Sequence, residues 1–288
     1  MALTKSGFLE YRRCNKAFWL ATNRPREIMV PPPDPYALML MKQGYEVEAL
    51  AQQWIRGWPD ADRCTFQESF RVMGLEARAD VVRRNDDGSI DLFEIKSSTS
   101  LQGSSGDQVD DATFQTIVAE RAGLPVNRAS VIHVNKQYAR SGPVDPSALL
   151  VVADVTLAVR ERYERIEQEI DTAVAFLAEK ELDENGCSCR FVGNPANHCA
   201  AFARFNPDIE LPSLYILPRI SKTKLETFAA EKRFALDAID PSELSKRQAL
   251  VQRAALQKAP AIDRAALAAF IADLGRSDDL RIWDSQFR

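Results

Sequence analysis

The sequence has 288 residues, of which 45% are hydrophobic and 27% charged, and these ordinary proportions exclude a fibrous or disordered chain. No stretch approaches the roughly 20 apolar residues of a membrane span, and the N-terminus lacks a secretory signal, so a cytoplasmic protein is expected. The net charge of −4 gives no sign of a nucleic-acid partner, and the odd number of five cysteines favours metal or cluster ligation over disulfides.

The first half of the chain changes from a helical to an extended pattern. The pattern of residues 1–26 predicts one helix and the segment that follows it, with Thr4 or Ser6 as the N-cap. The prolines within residues 31–35 cannot continue a helix. Apolar residues recur at helical spacing from Tyr36 to Arg56. Three strands are then predicted, the last two of them joined as a hairpin: Phe66–Val72, Leu75–Arg83 and Ile90–Lys96.

The second half predicts a helix, two further strands and a long helix. A polar loop at residues 97–106 precedes a helix at residues 107–122. The β-branched run Ala129–Val134 predicts a buried parallel strand, and a short strand is expected at Leu149–Val152. Thr156 is expected to cap a long amphipathic helix, which an irregular loop and short helices follow. These elements predict an α/β fold with a central mixed sheet flanked by helices.

Acidic and basic side chains meet on the predicted hairpin. Asp80 lies on one strand and Glu94-Ile95-Lys96 on the next, where alternate side chains share a face, so Glu94 and Lys96 project together. Two close carboxylates repel each other unless a cation such as Mg²⁺ lies between them. A lysine beside that ion can orient or deprotonate a water molecule and offset charge on a phosphate. A solvent-exposed hairpin face with a Glu–Lys pair is the open alternative.

This pattern resembles the PD-(D/E)xK nuclease superfamily, and the resemblance implies a restriction-endonuclease-like core. In RecB-type members a glutamine of the following helix reaches the active site; Gln115 holds that place, whereas the usual tyrosine four residues later is Ala119. Members often carry a metal-binding histidine four residues after a glycine of the preceding helix. Glu48, four residues after Gly44, takes its place, with Glu46 as a competitor. A solvent-exposed helix face is the alternative for both glutamates.

The resemblance assigns a role to each of these residues. It implies that one or two Mg²⁺ or Mn²⁺ ions are held by three carboxylates and one backbone carbonyl, those of Glu48, Asp80, Glu94 and Ile95. Lys96 would orient or activate the attacking water, and Gln115 would position Lys96 or a phosphate. The basic residues gathered in roughly the first forty positions would guide a single strand of DNA past the site.

Four of the five cysteines form a second constellation. Cys187, Cys189 and Cys199 lie close together in a polar loop, and Cys14 lies far upstream. Four thiolates can bind Zn²⁺ or an iron–sulfur cluster, and the sequence lacks the paired C-x2-C pattern typical of zinc. The arrangement resembles the CRISPR-associated iron–sulfur exonucleases and the AddB-type helicase–nucleases, which implies a [4Fe–4S] cluster on these four residues. The alternatives are replacement of one ligand by His198 and four unligated thiols.

The resemblance extends over most of the chain. The similar group is a bacterial family of uncharacterised proteins that join a RecB-like domain to an RNase T-like exonuclease domain. That second domain would begin soon after residue 274, so this chain is expected to be a short or truncated member. The matching stretches are Leu3–Phe8 with Cys14, Gly44–Ala51, Ala77–Asp80, Glu94–Lys96, Phe114–Gln115, His133–Asn135 with Tyr138, Asp154–Thr156, Cys187–Cys189 and Phe202–Pro207.

Together these features predict a metal-dependent DNA nuclease, expected to act as a single-strand exonuclease with a structural [4Fe–4S] cluster. Residues 1–212 would form the nuclease domain, and residues 213–288 a helical region that loosely resembles a helix–hairpin–helix module. The partner would be single-stranded DNA or duplex ends, in DNA repair, CRISPR adaptation or phage defence. The alternative from another class is a catalytically inactive DNA-binding or adaptor protein of the same fold.

Overall fold

The computed structural model describes residues 2–28, 32–101 and 108–274. The chain forms two compact units, one made of the residues up to 184 together with 199–201, and the other of residues 185–198 and those from 202 onward. The start of a separate helical region at residue 213 stays a prediction about domains. Within the described ranges, no helix has both the length and the apolar character needed to cross a bilayer.

The N-terminal segment contains two helices instead of the single helix predicted. After the short strand β1 (Leu3–Thr4), helix α1 (Lys5–Arg13) is capped by the hydroxyl of Thr4. Extended backbone at Cys14 ends α1, and α2 (Asn15–Asn23) follows directly. The apolar spacing continues across Cys14, so periodicity alone could not show the break.

Helix α3 (Pro35–Ile55) confirms the helix predicted from Tyr36 to Arg56. Asp34 caps its first turn, and the proline at its first position is already fixed in a helical conformation. The two halves of α3 differ in burial. Ala51 and Ile55 in the C-terminal half are fully buried, whereas the large apolar side chains of the N-terminal half are exposed.

The predicted strands form a six-stranded mixed sheet. With β1, its strands are β2 (Cys64–Val72), β3 (Leu75–Arg84), β4 (Ile90–Lys96), β5 (Val126–Val134) and β6 (Leu150–Asp154). Their order is β1-β3-β4-β5-β6, and β2 pairs with β3. The pairs β2–β3, β3–β4 and β5–β6 are antiparallel, whereas β4–β5 and β1–β3 are parallel. The predicted parallel pairing of β5 is therefore confirmed.

Helices pack on the sheet and form core clusters with it, of which two flank the strands that carry Asp80 and Glu94. Helices α4 (Gln108–Arg121) and α6 (Thr156–Leu177) pack with α1 in a cluster that includes Phe8, Ala79, Leu92, Phe114, Ile117 and Ile166. Helix α3 packs in a second cluster that includes Ala51, Ile55, Val81, Phe93 and Ile132. This arrangement confirms the predicted α/β class, a central mixed sheet flanked by helices.

The connection from β5 to α6 corrects one detail of the sequence prediction. A short helix, α5 (Pro146–Leu149), precedes β6. Helix α6 begins at Thr156 with Val155 as its N-cap, so the prediction that Thr156 caps the helix is wrong. The Thr156 hydroxyl instead donates to the Asp154 carboxylate at 2.6 Å, a local bond that competes with capping.

The second unit consists of short helices around a core of its own. Its helices are α7 (Phe202–Phe205), α8 (Lys222–Ala230), α9 (Lys246–Gln257) and α10 (Arg264–Leu274). Its core includes Leu214, Tyr215, Leu225, Phe228, Phe234, Leu236 and Ile239. The short helices predicted after residue 213 are therefore confirmed. Helix α9 begins with a capping box between Ser245 and Gln248, which fixes its first turn.

Candidate active site

Asp80 lies where the alternation of side chains along two strands reverses. Ala79 of β3 packs in the cluster of α4 and α6, whereas Val81, two residues later on the same strand, packs in the cluster of α3. Gln67 stands opposite Asp80 on β2 with a left-handed backbone (φ 57°), and neither residue joins the ladder of paired residues. Asp80 lies outside the regular strand pairing, and its Oδ2 accepts a hydrogen bond from the Ile95 N–H at 2.8 Å.

The position of Asp80 beside Glu94 changes its acidity. The two residues lie next to each other on the hairpin because Val81 pairs with Phe93. Burial, and after it the negative charge of Glu94, raises the pKa of Asp80 to about 6, although hydrogen bonds and the charge of Lys5 oppose the rise. A bound cation would oppose both causes, because it favours the charged form of a buried carboxyl group and offsets the charge of Glu94.

Glu94 is buried, and both of its oxygens have partners. Oε1 accepts from Lys5 Nζ at 2.5 Å and from Lys96 Nζ at 2.9 Å. Oε2 accepts from Gln115 Nε2 at 2.5 Å. Burial by itself would raise the pKa of Glu94, but the two ammonium groups outweigh it and lower the pKa. Glu94 is therefore a carboxylate at neutral pH, and Gln115 holds Glu94 rather than Lys96.

Lys96 lies between two carboxylates. Its Nζ contacts Glu94 and is also 2.5 Å from Asp111 Oδ2. Burial opposes the charge, but the two carboxylates prevail and raise the pKa of Lys96 above its usual range. Lys96 is thus held as an ammonium group, which can orient water or neutralise a phosphate but has no lone pair with which to remove a proton. The other oxygen of Asp111 is buried and has no partner among the described residues.

The structure separates the two candidate glutamates of α3. Glu48 faces the site, where its Oε1 accepts from Gln67 Nε2 at 2.7 Å and from Gln52 Nε2 at 3.1 Å. Gln67 Nε2 also donates to Asp80 Oδ1 at 3.1 Å, so Gln67 joins the two carboxylates. Glu46 is exposed to solvent, with Lys42 Nζ 3.9 Å away. Of the two, Glu48 is therefore the one placed to act with Asp80.

Three residues of the site were missed from the sequence: Lys5, Gln67 and Asp111. Lys5 is 89 residues from its partner Glu94, and no local pattern reports such a contact. Gln67 depends on a positive φ, which the sequence does not signal because glycine, the usual residue there, is absent. Asp111 was visible as an acid in the first turn of α4, where helix capping explains acids equally well.

Two cavities meet at Asp80. One, of about 290 Å³, is lined by Met41, Gly44, Tyr45, Glu48, Asp80, Glu94 and Ile95. The other, of about 400 Å³, is lined by Thr4, Lys5, Ser6, Glu76, Arg78 and Asp80. The first joins an apolar helix face to the acidic residues, and the second joins cationic and hydroxyl groups to the same aspartate.

The acidic cavity offers the donors that Mg²⁺ or Mn²⁺ takes. Three carboxylates and Ile95 line it, and oxygen ligands suit hard divalent ions. Among the residues that the structure describes, these oxygens do not close around one point as they stand. Lys5 and Gln67 lie against them and supply the charge and N–H groups that an ion would replace. The donor chemistry fits a divalent cation that displaces one of these two side chains.

Four cysteines form the candidate metal centre. The Sγ atoms of Cys14, Cys187, Cys189 and Cys199 all lie within 4.8 Å of one another, and all four residues are buried. Four thiolates can bind one tetrahedral zinc ion or the four irons of a [4Fe–4S] cluster. The cluster predicted from the sequence is therefore present as a group of thiols, compatible with either metal centre.

His198 and Cys64 lie outside this group. His198 Nε2 is 2.7 Å from the Val192 carbonyl, and its ring stacks on Phe202 with 3.9 Å between ring centroids. Burial lowers the pKa of His198. Asn206 belongs to the surroundings of the cysteines, since its Nδ2 donates to Cys187 Sγ at 3.5 Å. Such a donor stabilises a thiolate and orients it.

Comparison with known proteins adds little to this geometry. No family model matches the sequence, and no curated protein matches it significantly. Among solved structures, an alkaline exonuclease (LHK-Exo) from Laribacter hongkongensis is similar at 14% identity, over 61% of this chain and 87% of its own, with a TM-score of 0.40. The protein SSO0001 is similar at 13% identity, over 57% of this chain and 76% of its own, with a TM-score of 0.31. Both similarities are weak, so the fold assignment rests on the topology of this chain's own sheet.

Proposed function

We propose that this protein is a metal-dependent nuclease that hydrolyses phosphodiester bonds of DNA, as an exonuclease acting on single strands. The observation that carries the proposal is the convergence of Glu48, Asp80 and Glu94 on one cavity, with the charged Lys96 held against Glu94. The raised pKa of Asp80 supports it, because burial and the charge of Glu94 disfavour the carboxylate and a bound cation would offset both. The PD-(D/E)xK pattern of the sequence agrees with this assignment.

The ligands of the ion would be the groups that line the cavity: the carboxylates of Glu48, Asp80 and Glu94 and the carbonyl of Ile95. When bound, Mg²⁺ or Mn²⁺ supplies a Lewis acid that polarises the phosphate. Gln115 holds Glu94 through Oε2, which fixes the orientation of that carboxylate. The Ile95 N–H does the same for Asp80.

Lys96 has an electrostatic role in this proposal. Its ammonium group orients the attacking water and offsets the negative charge that develops on the phosphate in the transition state. Asp111 keeps Lys96 charged and in place, since it contacts Nζ from the side of α4. With Lys96 as an ammonium group, the proton of the attacking water would pass to solvent or to a phosphate oxygen of the substrate.

Cleavage assays on labelled single strands and duplexes with Mg²⁺ or Mn²⁺ test the proposal. We expect Asp80→Asn, Glu94→Gln and Lys96→Met each to lower the rate by about 10²-fold or more, as loss of a preorganised electrostatic group does. Glu46→Gln is the control, because Glu46 is an exposed acid of α3 that lies outside the acidic cavity. The proposal is wrong if the wild-type protein cleaves neither substrate, and the site is wrong if correctly folded variants keep full activity.

A catalytically inactive DNA-binding or adaptor protein is the second candidate. The observation that favours it is that the chain's own groups already satisfy the acids: Lys5 pairs with Glu94, and Gln67 joins Glu48 to Asp80. Calorimetry separates the candidates. A nuclease binds Mn²⁺ at a site that Asp80→Asn abolishes, whereas the adaptor binds DNA without any such ion site.

We also propose that the four cysteines carry a [4Fe–4S] cluster. The four thiols are buried together, and the sequence lacks the paired spacing typical of zinc sites. The test is to purify the protein without oxygen and to measure its visible absorption and its iron content. We expect a brown colour and about four iron atoms per chain. A colourless protein that contains one zinc ion per chain would show that the four cysteines bind zinc and would refute the cluster.

A further inference from the structure

The N-terminal half of α3 presents apolar side chains that the described chain leaves uncovered. Tyr36, Leu38, Met39, Leu40, Met41 and Tyr45 are each between 44% and 66% exposed. The C-terminal half of the same helix is packed on the sheet through Ala51 and Ile55. A contiguous exposed apolar surface of this kind marks a place where a ligand or partner binds.

One stripe of this surface continues into the acidic cavity. Met41, Gly44, Tyr45 and Glu48 follow one another at positions i, i+3, i+4 and i+7, so they share one face of α3. All four line the cavity that contains Asp80 and Glu94. The apolar stripe therefore ends at the groups that would carry out hydrolysis.

Gly44 leaves a gap in this wall of the cavity. A glycine weakens a helix interior relative to alanine, and a packing contact usually explains its presence there. At Gly44 an added Cβ would meet no atom within 4 Å, so the rest of the protein does not require the glycine. The space is open to whatever enters the cavity.

The second cavity that contains Asp80 adds cationic groups. It is lined by the cations Lys5 and Arg78, the hydroxyl residues Thr4 and Ser6, and the acid Glu76. A ligand that spans Asp80 thus meets Met41 and Tyr45 in one cavity and two cations in the other. A nucleotide has this division, since its base presents a flat apolar face and its phosphates are anionic.

We propose that Tyr45 is a stacking platform for a base next to the scissile phosphodiester, with Met41 and the gap at Gly44 accommodating the same nucleotide. This inference rests on the proposed nuclease function and adds to it the side chains that would recognise an unpaired nucleotide next to the site of cleavage. Base pairs inside a duplex are stacked on their neighbours, so only an unpaired nucleotide offers a base face to Tyr45. Contacts to a base face are indifferent to base identity, which suits cleavage without sequence preference.

Binding measurements with a single-stranded oligonucleotide that carries one 2-aminopurine test the proposal without any cleavage. The full chain is titrated in buffer free of divalent ions, with fluorescence as the readout. We expect quenching by the wild-type protein and by Tyr45→Phe or Tyr45→Trp, which keep an aromatic face. We expect Tyr45→Ala to lose the quenching and to weaken binding by about tenfold. Tyr36→Ala is the matched control, because Tyr36 is as exposed as Tyr45 but lies outside the cavity.

Several outcomes would overturn the stacking platform. One is a Tyr45→Ala protein that binds and quenches like the wild type. Another is an equal loss of binding and quenching in Tyr45→Ala and Tyr36→Ala, which would indicate a general apolar surface. A change in oligomeric state in both variants would show that this surface binds another protein chain.

The proposal also predicts the behaviour of a strand with an abasic nucleotide at the probed position. The wild type and Tyr45→Ala should bind this strand equally weakly.

The outcomes also separate this inference from the proposed function. If the wild-type protein cleaves single strands and Tyr45→Ala binds them normally, the stacking role of Tyr45 is refuted and the proposed nuclease function stands. If the wild-type protein shows the Tyr45-dependent quenching but cleaves no substrate, the stacking role stands and the nuclease function is refuted.

Discussion

Lys5 and Glu94, 89 residues apart in the sequence, form an ion pair at the centre of the candidate active site, with 2.5 Å between Nζ and Oε1. The same oxygen of Glu94 contacts Lys96 at 2.9 Å, so two ammonium groups share one carboxylate. Lys96 has a second carboxylate partner, Asp111, whereas Lys5 lines the cavity next to Asp80. Lys5 is thus the cation of the pair that a divalent ion would displace.

This competition predicts the effect of Lys5→Met on metal binding. Without the ammonium group, the ion no longer displaces a charged partner of Glu94, and its two positive charges meet less repulsion. We expect Mn²⁺ to bind about tenfold more tightly to Lys5→Met than to the wild type, a difference of about 1.4 kcal/mol. Isothermal titration calorimetry at low ionic strength measures it, because salt screens the effect.

Lys42→Met is the control for this experiment. Lys42 is an exposed lysine of α3 whose Nζ is 3.9 Å from Glu46, outside the acidic cavity. It changes the net charge by the same amount as Lys5→Met, so a general charge effect would appear in both variants. Weaker Mn²⁺ binding by Lys5→Met would show that Lys5 supports the site instead of competing for it.

The acidity of Asp80 predicts the pH dependence of metal binding. Its pKa is raised to about 6 from the usual 3.8, so the proton stays on Asp80 up to a higher pH than on an ordinary aspartate. A metal ligand must be deprotonated, hence the apparent affinity for Mn²⁺ falls as the pH decreases through 6, by about tenfold per pH unit below it. Calorimetry at pH 5, 6 and 7 checks the direction. Equal affinity at pH 5 and pH 7 would contradict the role of Asp80.

The sequence predicted those parts of the fold and site that depend on local pattern. The strands around Asp80 and Glu94-Ile95-Lys96 were found because period-two alternation and a turn sequence are visible within ten residues. Gln115 was expected near the site from resemblance, and it contacts Glu94. The roles of these residues in catalysis stay predictions.

What the sequence could not predict depends on distant contacts or unusual backbone. The reversal of alternation at Asp80 arises from Gln67, a residue with a left-handed backbone that carries no sequence signal. The contact from Lys5 to Glu94 needs the three-dimensional path of α1 over the sheet. The break at Cys14 is likewise a tertiary effect, since the neighbouring apolar spacing favours one continuous helix.

Gln67 allows backbone strain to be separated from hydrogen bonding. Gln67→Gly and Gln67→Ala both remove the amide that joins Glu48 to Asp80. Glycine adopts the φ of 57° without strain, whereas alanine does not, so we expect the alanine variant to be less stable by about 1 kcal/mol. Urea unfolding measures the difference, and equal stability would mean that the backbone relaxes to an ordinary strand.

The same two variants test the electrostatic role of Gln67. Its hydrogen bond lowers the pKa of Asp80, so we expect that pKa to rise further in both Gln67→Gly and Gln67→Ala. Titration of the Asp80 carboxyl carbon by NMR, without divalent ions, measures the shift. A pKa that does not rise would show that another donor replaces the amide.

The cysteine group predicts a coupling between metal content and stability. Cys189 is fully buried among the four thiols, and a metal centre that binds only the folded chain stabilises it. We expect Cys189→Ser to lose most of its metal, measured by elemental analysis, and to unfold at a temperature several degrees lower in calorimetric scans. Cys64→Ser is the matched control, because Cys64 lies outside the group, and its Sγ is 3.7 Å from the Asp60 carbonyl. If Cys189→Ser keeps the metal content of the wild type, or if the wild type itself contains no metal, the four thiols pack together as unligated side chains.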